Sequence, residues 1–407
     1  MDTSKNPVTS DVLLTLQLRT GNEPLLPRLE RFKCKNATKD FIPFISLFLA
    51  PKTTHIRIEF ILNPPTVVVA LAIARFPILC PHIQSIILDP LPSNLTMTET
   101  VSEMLVACNR DTLEEFHVTC PLTEEARGVL YTLPKLRHLW AIIQGQTSLP
   151  PVILPKLEKV QVEWDSGRDW LQGFWGATIG KLETVIFCPT SDSAQIGNFL
   201  EEFKGVALTT SAQNTLSEFS FYTSQSWTPD YPSLLVFGQM TKLEIEFSCY
   251  DRCSSRVDDG TVLNLAQAMP KLEILRLGKE PCRNPTGIAL EGLVALASHC
   301  LQLSKLRIHL QAGKLAEAIT RSPYPPKEAT AVAWSNCALT DLEVGRAPIP
   351  GQAASAIALA LLQIFPQILN IGHANPKWNN VAEMIRLSKR VGGHIHHASK
   401  THLPHLR

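Results

Sequence analysis

The sequence has almost no excess of charge of either sign. Its 407 residues contain 38 Lys and Arg against 37 Asp and Glu, which gives a formal net charge of +1. A strongly basic field over the whole protein, of the kind that draws proteins to nucleic acids or acidic membranes, is therefore excluded. We expect neither nucleic acid nor a membrane as the partner.

Long apolar segments are also missing. The longest apolar run near the front, residues 41–50, is interrupted by Pro43 and followed by Pro51, and a membrane-spanning helix needs roughly 20 apolar residues. The chain starts with polar residues and lacks the apolar run of a secretion signal. These patterns predict a soluble protein of the cytoplasm and/or nucleus.

Cysteine is present, but not in a pattern typical of disulfides or zinc. The ten cysteines are irregularly spaced, and Cys34 and Cys188 fall at or beside predicted core positions, which favours reduced, buried thiols. Cys249 and Cys253 form one pair, whereas a tetrahedral zinc site needs two further ligands. A loop with two free thiols is the preferred interpretation of this pair.

No catalytic motif is visible either. The sequence lacks a Gly-rich phosphate loop, H-E-x-x-H, G-x-S-x-G and the kinase signature set. The acidic pairs at residues 201–202 and 258–259 are typical of helix starts, where negative charge complements the helix dipole. The histidines at 394–397, 402 and 405 could hold a divalent metal, but an incidental basic terminal tail is the preferred interpretation. We predict no enzyme, no catalytic residue, no cofactor and no metal.

What the sequence does contain is a repeated phrase, L-x-x-L-x-L, in which a leucine-like residue is followed by two more at +3 and +5. It is clearest around Leu139, Val160 and Leu275, and it recurs about every 28 residues. The middle residues of the successive phrases are Leu16, Phe32, Ile56, Ile86, Phe116, Leu139, Val160, Val185, Phe219, Leu243, Leu275, Leu306, Leu342 and Leu369. This spacing is typical of leucine-rich repeats, in which stacked units share one continuous core.

Stretches with helical spacing of apolar residues lie between the phrases, at residues 67–76, 101–108, 124–133, 262–269, 290–299, 354–365 and 378–389. The order strand, turn, helix, turn predicts an α/β leucine-rich-repeat solenoid, or horseshoe, with a concave parallel β-sheet and convex helices. Residues 1–24 would form an atypical N-terminal unit or cap, 25–376 an array of about 13 units, and 377–407 a C-terminal helix with the His-rich basic tail.

Side chains alternate across a strand, so the residue after each middle position should point away from the core. This outward ladder runs Lys33, Arg57, Ile87, His117, Trp140, Gln161, Ile186, Ser220, Glu244, Arg276, Arg307 and Glu343. We predict that its polar and aromatic members contact a protein partner on the concave face, with Trp140, Arg276 and Arg307 as anchors.

Several segments resemble the C-terminal repeat region of fungal F-box proteins with leucine-rich repeats. The similarity is carried by residues 258–273 (DDGTVLNLAQAMPKLE), 277–282 (LGKEPC), 292–300 (GLVALASHC), 339–345 (LTDLEVG) and 358–367 (ALALLQIFPQ), with Trp378. The resemblance implies a substrate receptor in which an F-box docks on the adaptor of a Skp-Cullin-F-box ubiquitin ligase and the repeats capture the protein to be ubiquitinated.

The chain departs from that family pattern at its front. Only about two dozen residues precede the phrase that begins at Leu29, and no F-box is visible there. The leading hypothesis is a non-enzymatic protein-protein interaction domain that resembles the recognition part of these receptors. Two alternatives stay open, a free repeat scaffold or competitor without a ubiquitin link, and a truncated gene product whose F-box lies upstream of Met1.

Overall fold

A computed structural model describes residues 9–21, 23–61, 65–143, 154, 156–164, 184–189, 199–210, 212–223, 230–247, 257–278, 287–321, 336–345, 347–350, 353–373 and 375–400. The chain divides into two compact units. The first is Met1–Gln195 with Gly205–Leu216, and the second is Ile196–Lys204 with Ser217–Arg407. Each is described by itself.

The first unit alternates strands with short helices. Its elements are α1 (Ser10–Thr20), β1 (Arg31–Ala37), a 3₁₀ helix (Ile42–Leu47), β2 (His55–Phe60), α2 (Thr66–Ile73), α3 (Phe76–Leu79), β3 (Ser85–Asp89), α4 (Leu95–Ala107), β4 (Glu115–Pro121), α5 (Glu124–Leu130), β5 (His138–Ile143), β6 (Lys159–Trp164) and β7 (Thr184–Pro189). Each strand from β1 to β7 pairs in parallel with the next one along the chain.

The second unit has the same plan, with parallel pairing of consecutive strands from β8 to β13. Helix α6 (Phe199–Thr210) contains the division between the units. The elements that follow are β8 (Glu218–Thr223), a 3₁₀ helix (Tyr231–Val236), β9 (Lys242–Phe247), α7 (Asp259–Ala268), β10 (Ile274–Leu277), α8 (Leu290–His299), β11 (Lys305–Arg307), α9 (Ala312–Arg321), β12 (Asp341–Glu343), α10 (Ala354–Ile364), β13 (Asn370–Gly372) and α11 (Trp378–Lys400). The predicted α/β class with parallel strands is confirmed.

The core of each unit is a set of lateral rows of apolar side chains. The middle residues of the repeated phrase pair with one another from strand to strand, and they are buried. In the first unit the row runs Phe32, Ile56, Ile86, Phe116, Leu139 and Val160, and in the second it runs Phe219, Leu243, Leu275, Leu306 and Leu342. Each such side chain contributes about 1.5–3 kcal/mol by leaving water, so the repeated phrase fixes the register of the strands.

Several helices begin at a side chain that caps the first free backbone N–H groups. The Asn94 side chain accepts from the Met97 N–H before α4, and Thr123 accepts from the Ala126 N–H before α5. Asp258 accepts from the Thr261 N–H before α7, while Asp259 lies in the first turn of that helix. The prediction that residues 258–259 mark a helix start is confirmed.

The prediction for the N-terminal phrase is wrong. Residues 13–18 form part of helix α1 rather than a strand centred on Leu16. Asp11 in its first turn and Arg19 in its last complement the helix dipole. Of its leucines only Leu13 is buried, and Leu18 is largely exposed. A run of six residues is too short for alternation to be told from helical spacing.

The last register mark is also wrong. Leu342 pairs with Ile371 instead of Leu369, and Leu369 is 55 % exposed. The Leu369 N–H bonds the Thr340 carbonyl in the turn before β13, just as the Glu273 N–H bonds the Thr241 carbonyl before β10. Leu369 therefore corresponds to Glu273, which lies just before β10. The buried-row position of this last strand, equivalent to Leu275, is taken by Ile371.

The predicted helical stretches are confirmed, because each overlaps a helix, and the last one extends to Lys400. Helices α1, α6 and α9 were not predicted. No helix in the described ranges has the length and apolar character needed to cross a membrane.

Candidate functional site

The predicted outward ladder exists as two lateral rows, one in each unit. In the first unit the paired positions run Lys33, Arg57, Ile87, His117, Trp140, Gln161 and Ile186. In the second they run Ser220, Glu244, Arg276, Arg307, Glu343 and Gly372. The structure thus brings the predicted site residues of each unit together, strand by strand. Their role in binding stays a prediction.

His117 and Trp140 form the centre of the first row. Their strands β4 and β5 are neighbours, and the two ring centroids lie 3.6 Å apart with an angle of 34° between the planes. His117 Nε2 and Trp140 Nε1 are both buried and have no hydrogen-bond partner in the described part of the chain. An unsatisfied buried polar group costs about 1–3 kcal/mol, so this stacked pair is a place where a bound group could recover free energy.

A pocket of about 380 Å³ lies over these rings. Its lining residues are Arg57, Ile87, Glu115, Phe116, His117, His138, Leu139, Trp140, Lys159 and Gln161. Three of them, Glu115, His138 and Lys159, belong to a second row, two residues before the ladder on the same strands. We did not predict this row as a site, although the two-residue period of a strand places it on the same face.

The charged groups of the pocket differ in how far they are already paired. Arg57 forms an ion pair with Glu59 at 2.8 Å. Glu115 accepts a hydrogen bond of 2.5 Å from the Ser85 hydroxyl and lies 3.7 Å from His138 Nδ1. Lys159 is exposed and makes no ion pair with the described residues. The ammonium group of Lys159 is therefore available to a ligand.

The His117 imidazole is held neutral by its surroundings. Burial lowers its pKa to about 4, and the positive charges of Arg57 and Lys159 act in the same direction. A neutral imidazole carries one N–H and one acceptor nitrogen. His117 can thus donate or accept a hydrogen bond in the pocket without contributing charge.

The ladder residues of the second unit form an internal ion-pair network instead. Glu244, only 2 % exposed, receives hydrogen bonds from Tyr222 at 2.7 Å and Ser220 at 3.0 Å. The carboxylate also lies 3.0 Å from Lys242 Nζ and 3.0 Å from an Arg276 guanidinium nitrogen. Burial alone would raise the pKa of Glu244, but these donors and the charge of Lys242 outweigh it and lower the pKa.

Arg307 joins two further carboxylates of the same unit. Its guanidinium group contacts Glu343 through Nε and Glu246 through a nitrogen 2.7 Å away. Both predicted arginine anchors, Arg276 and Arg307, are therefore already engaged with acidic neighbours. A partner that used them would have to replace these ion pairs, which reduces what they can contribute to binding.

The thiols and histidines give no metal centre in the described residues. Cys34, Cys80, Cys108, Cys120, Cys300 and Cys337 are buried, reduced thiols. No group of three His, Cys, Asp or Glu side chains with metal-binding geometry occurs in the described part of the chain. Cys249, Cys253, His402 and His405 lie outside the described residues, and residues 394–397 are described only as backbone of α11.

Comparison with protein-family models and with curated protein sequences gives no relative on which to base a functional assignment. No protein-family model matches the chain, and no curated protein sequence matches it. A functional assignment for this chain rests on its own residues.

Proposed function

We propose that the chain is a non-enzymatic leucine-rich-repeat protein that captures a protein partner on the face formed by its strands. In this proposal the parallel strands and their helices belong to a solenoid, or horseshoe, with the strands on the concave side. The buried lateral rows built from the repeated phrase support it. So does the alternation of strand and helix from β1 to β5 and through the second unit.

The pocket over His117 and Trp140 is the observation that carries the binding role. Two buried nitrogens without a hydrogen-bond partner in the described residues lie beside this pocket, and buried polar groups in proteins are usually paired. Tryptophan is among the residues that contribute most to protein interfaces, and central, well-packed positions are where such residues act. Because the parallel strands hold the backbone of both residues in place before binding, little backbone entropy is lost when a partner arrives.

The resemblance to F-box receptors supports a further step, in which the captured protein is presented to a Skp-Cullin-F-box ubiquitin ligase. The six buried, reduced thiols fit the reducing cytoplasm and/or nucleus where such ligases work. A free repeat scaffold without a ubiquitin link is the alternative. The two differ in whether the ligase adaptor and cullin accompany the chain.

The test is quantitative affinity capture with the tagged full-length chain from its native cells. Three forms are compared: the wild type, a face variant Trp140→Ala, and a control variant Arg110→Glu. Arg110 is exposed in the turn after α4 and does not line the pocket. Loss of a tryptophan anchor worth about 2 kcal/mol should reduce recovery of the true partner about 30-fold.

The expected result is a small set of proteins that is lost with Trp140→Ala and retained with Arg110→Glu. Gln161→Glu, which changes a lining residue without opening a cavity, should weaken the same set and so separates binding from folding defects. Equal recovery of every captured protein with all forms would overturn the proposal. Recovery of the adaptor and cullin with the wild type would favour the ligase role, and their absence would favour the free scaffold.

A further inference from the structure

Positive side chains outnumber negative ones on the strand face of the first unit. The cations on this face are Arg31, Lys33 and Lys35 of β1, Arg57 of β2 and Lys159 of β6. The acids at positions of this face are Glu59 of β2, Asp89 of β3, Glu115 of β4 and Glu163 of β6. The near-zero net charge of the whole chain conceals this local excess.

Some of these acids are already engaged by neighbouring side chains. Glu59 is paired with Arg57, and Glu115 accepts a hydrogen bond from Ser85. Burial and the neighbouring Glu59 raise the pKa of Asp89. By contrast, the exposed side chains of Arg31, Lys35 and Lys159 make no ion pair with the described residues.

The pocket adds hydrogen-bond donors to this positive surface. The indole N–H of Trp140 can only donate, and its nitrogen has no partner among the described residues. The ammonium group of Lys159 also only donates, and this side chain lines the same pocket. A ligand group that satisfies both must present acceptor oxygens, and a negative charge on them strengthens each bond.

We propose that the strand face of the first unit takes up an acidic segment of the partner, with one Asp or Glu carboxylate seated between Trp140, His117 and Lys159. This inference rests on the proposed function, since it specifies the partner chemistry for the same face. Arg31 and Lys35 then attract the flanking acidic residues of the segment, and their longer-range field speeds encounter.

A carboxylate fits this pocket better than a phosphate group. The pocket offers one unpaired ammonium group, in Lys159, which matches a single negative charge. The Glu115 carboxylate also lines the pocket, and it would repel a dianionic phosphate more strongly than a carboxylate. Because Trp140 Nε1 is buried, the indole ring must rotate before this nitrogen can pair with the carboxylate.

The experiment passes a pool of random 12-residue peptides over the immobilised full-length chain and sequences the bound fraction. The three forms compared are the wild type, Lys159→Glu, and Arg110→Glu as a charge-matched control away from the pocket. We expect the wild type and the control to enrich Asp and Glu over Asn and Gln at least about threefold, and Lys159→Glu to lose this enrichment.

The most enriched peptide is then synthesised in three versions that differ at one acidic position, with Glu, Gln or phosphoserine. The Gln version should bind about tenfold more weakly than the Glu version at low salt. The indole ¹H–¹⁵N NMR signal of Trp140, assigned from its absence in Trp140→Phe, should shift when the Glu version binds. That shift reports on the nitrogen itself and not on folding.

A bound pool without acidic enrichment, or enrichment unchanged by Lys159→Glu, would overturn the inference, as would preference for the phosphoserine version. Failure of every peptide to bind counts against it in the same way. These results leave the proposed function standing if Trp140→Ala still abolishes partner capture. Unchanged capture with Trp140→Ala rejects the proposed function itself, so the two failures are distinguishable.

Discussion

Asp259 and Gly292 are joined directly, because the Asp259 carboxylate accepts the Gly292 backbone N–H at 2.8 Å. The same oxygen accepts the Ala289 N–H, also at 2.8 Å. The side chain from the first turn of α7 thereby satisfies free N–H groups at the start of α8. A Cβ atom at position 292 would lie 2.6 Å from this oxygen, so only glycine leaves room for the contact.

Gly292→Ala should therefore destabilise the protein, whereas glycine-to-alanine substitution in a helix is ordinarily favourable. We expect a loss of about 1–3 kcal/mol in the free energy of unfolding, because the Asp259 carboxylate must move away from its donors. Gly128→Ala in α5 is the matched control, since a Cβ atom there meets nothing within 4 Å. The control should gain about 0.5–1 kcal/mol. Urea unfolding measures both, and equal stability of the two variants would contradict this role of Asp259.

Replacement of Glu244 by Gln should remove a stabilising charge whose effect depends on pH. At pH 7 we expect Glu244→Gln to lower the free energy of unfolding by about 2–3 kcal/mol, because Lys242 and Arg276 lose their common partner. The pKa of Glu244 is lowered in the folded state, so this stability is present above the usual glutamate pKa and is lost as pH falls through the folded value.

The difference between the wild type and Glu244→Gln should accordingly shrink between about pH 5 and pH 3. Urea unfolding across this range measures it. Glu383→Gln, an exposed position in α11, serves as the control for loss of one carboxylate outside the network. A difference that stays constant down to pH 3 would show that the ionised form of Glu244 contributes nothing to stability.

His117 should make the first unit sensitive to mild acid. Its pKa is lowered to about 4, so the folded state favours the neutral imidazole, and the unfolded chain binds the proton more readily below about pH 6.5. The wild type should therefore lose stability relative to His117→Asn as pH falls from 7 to 4. Gln161→Asn, in the same row, should show no such trend. Thermal unfolding at several pH values tests this, and parallel curves for the wild type and His117→Asn would refute it.

The buried thiols should resist alkylation in the folded protein. Burial raises the pKa of Cys108, Cys120 and Cys300 to about 12, so the reactive thiolate is scarce at pH 8. Iodoacetamide labelling followed by peptide mass spectrometry should show these sites unmodified in the native protein and modified in urea. Rapid labelling of Cys108 under native conditions would show that α4 opens readily.

The sequence predicted the register of strands β1 to β7 and β8 to β12 because the repeated phrase marks the same position in each of them. Leu139 and Leu275 each mark a strand whose neighbours carry the same phrase, so the partners of Trp140 and Arg276 follow from alternation alone. The contact between His117 and Trp140 could have been predicted from the sequence, since these residues occupy the same position in consecutive phrases.

The ion pairs between charged side chains could not be predicted from the repeated phrase. Arg307 contacts Glu246, which lies on β9, two strands away, and only the side-chain conformations decide this. The network around Glu244 also depends on Tyr222, which lies on β8 two residues after the ladder residue Ser220. The errors at Leu16 and Leu369 occurred where a short leucine-rich run allowed more than one assignment, and tertiary packing decided between them.

The fixed spacing between strands sets which side chains of a bound segment can contact the first unit when that segment lies across its strands. Neighbouring strands are about 4.8 Å apart, so Arg57 on β2 and Trp140 on β5 are separated by about 14 Å. In an extended peptide, side chains on one side recur about every 6.8 Å, and residues i and i+4 are about 13.6 Å apart. An extended partner segment that crosses the strands can therefore contact Arg57 and Trp140 at once only if the two side chains that they recognise are four residues apart.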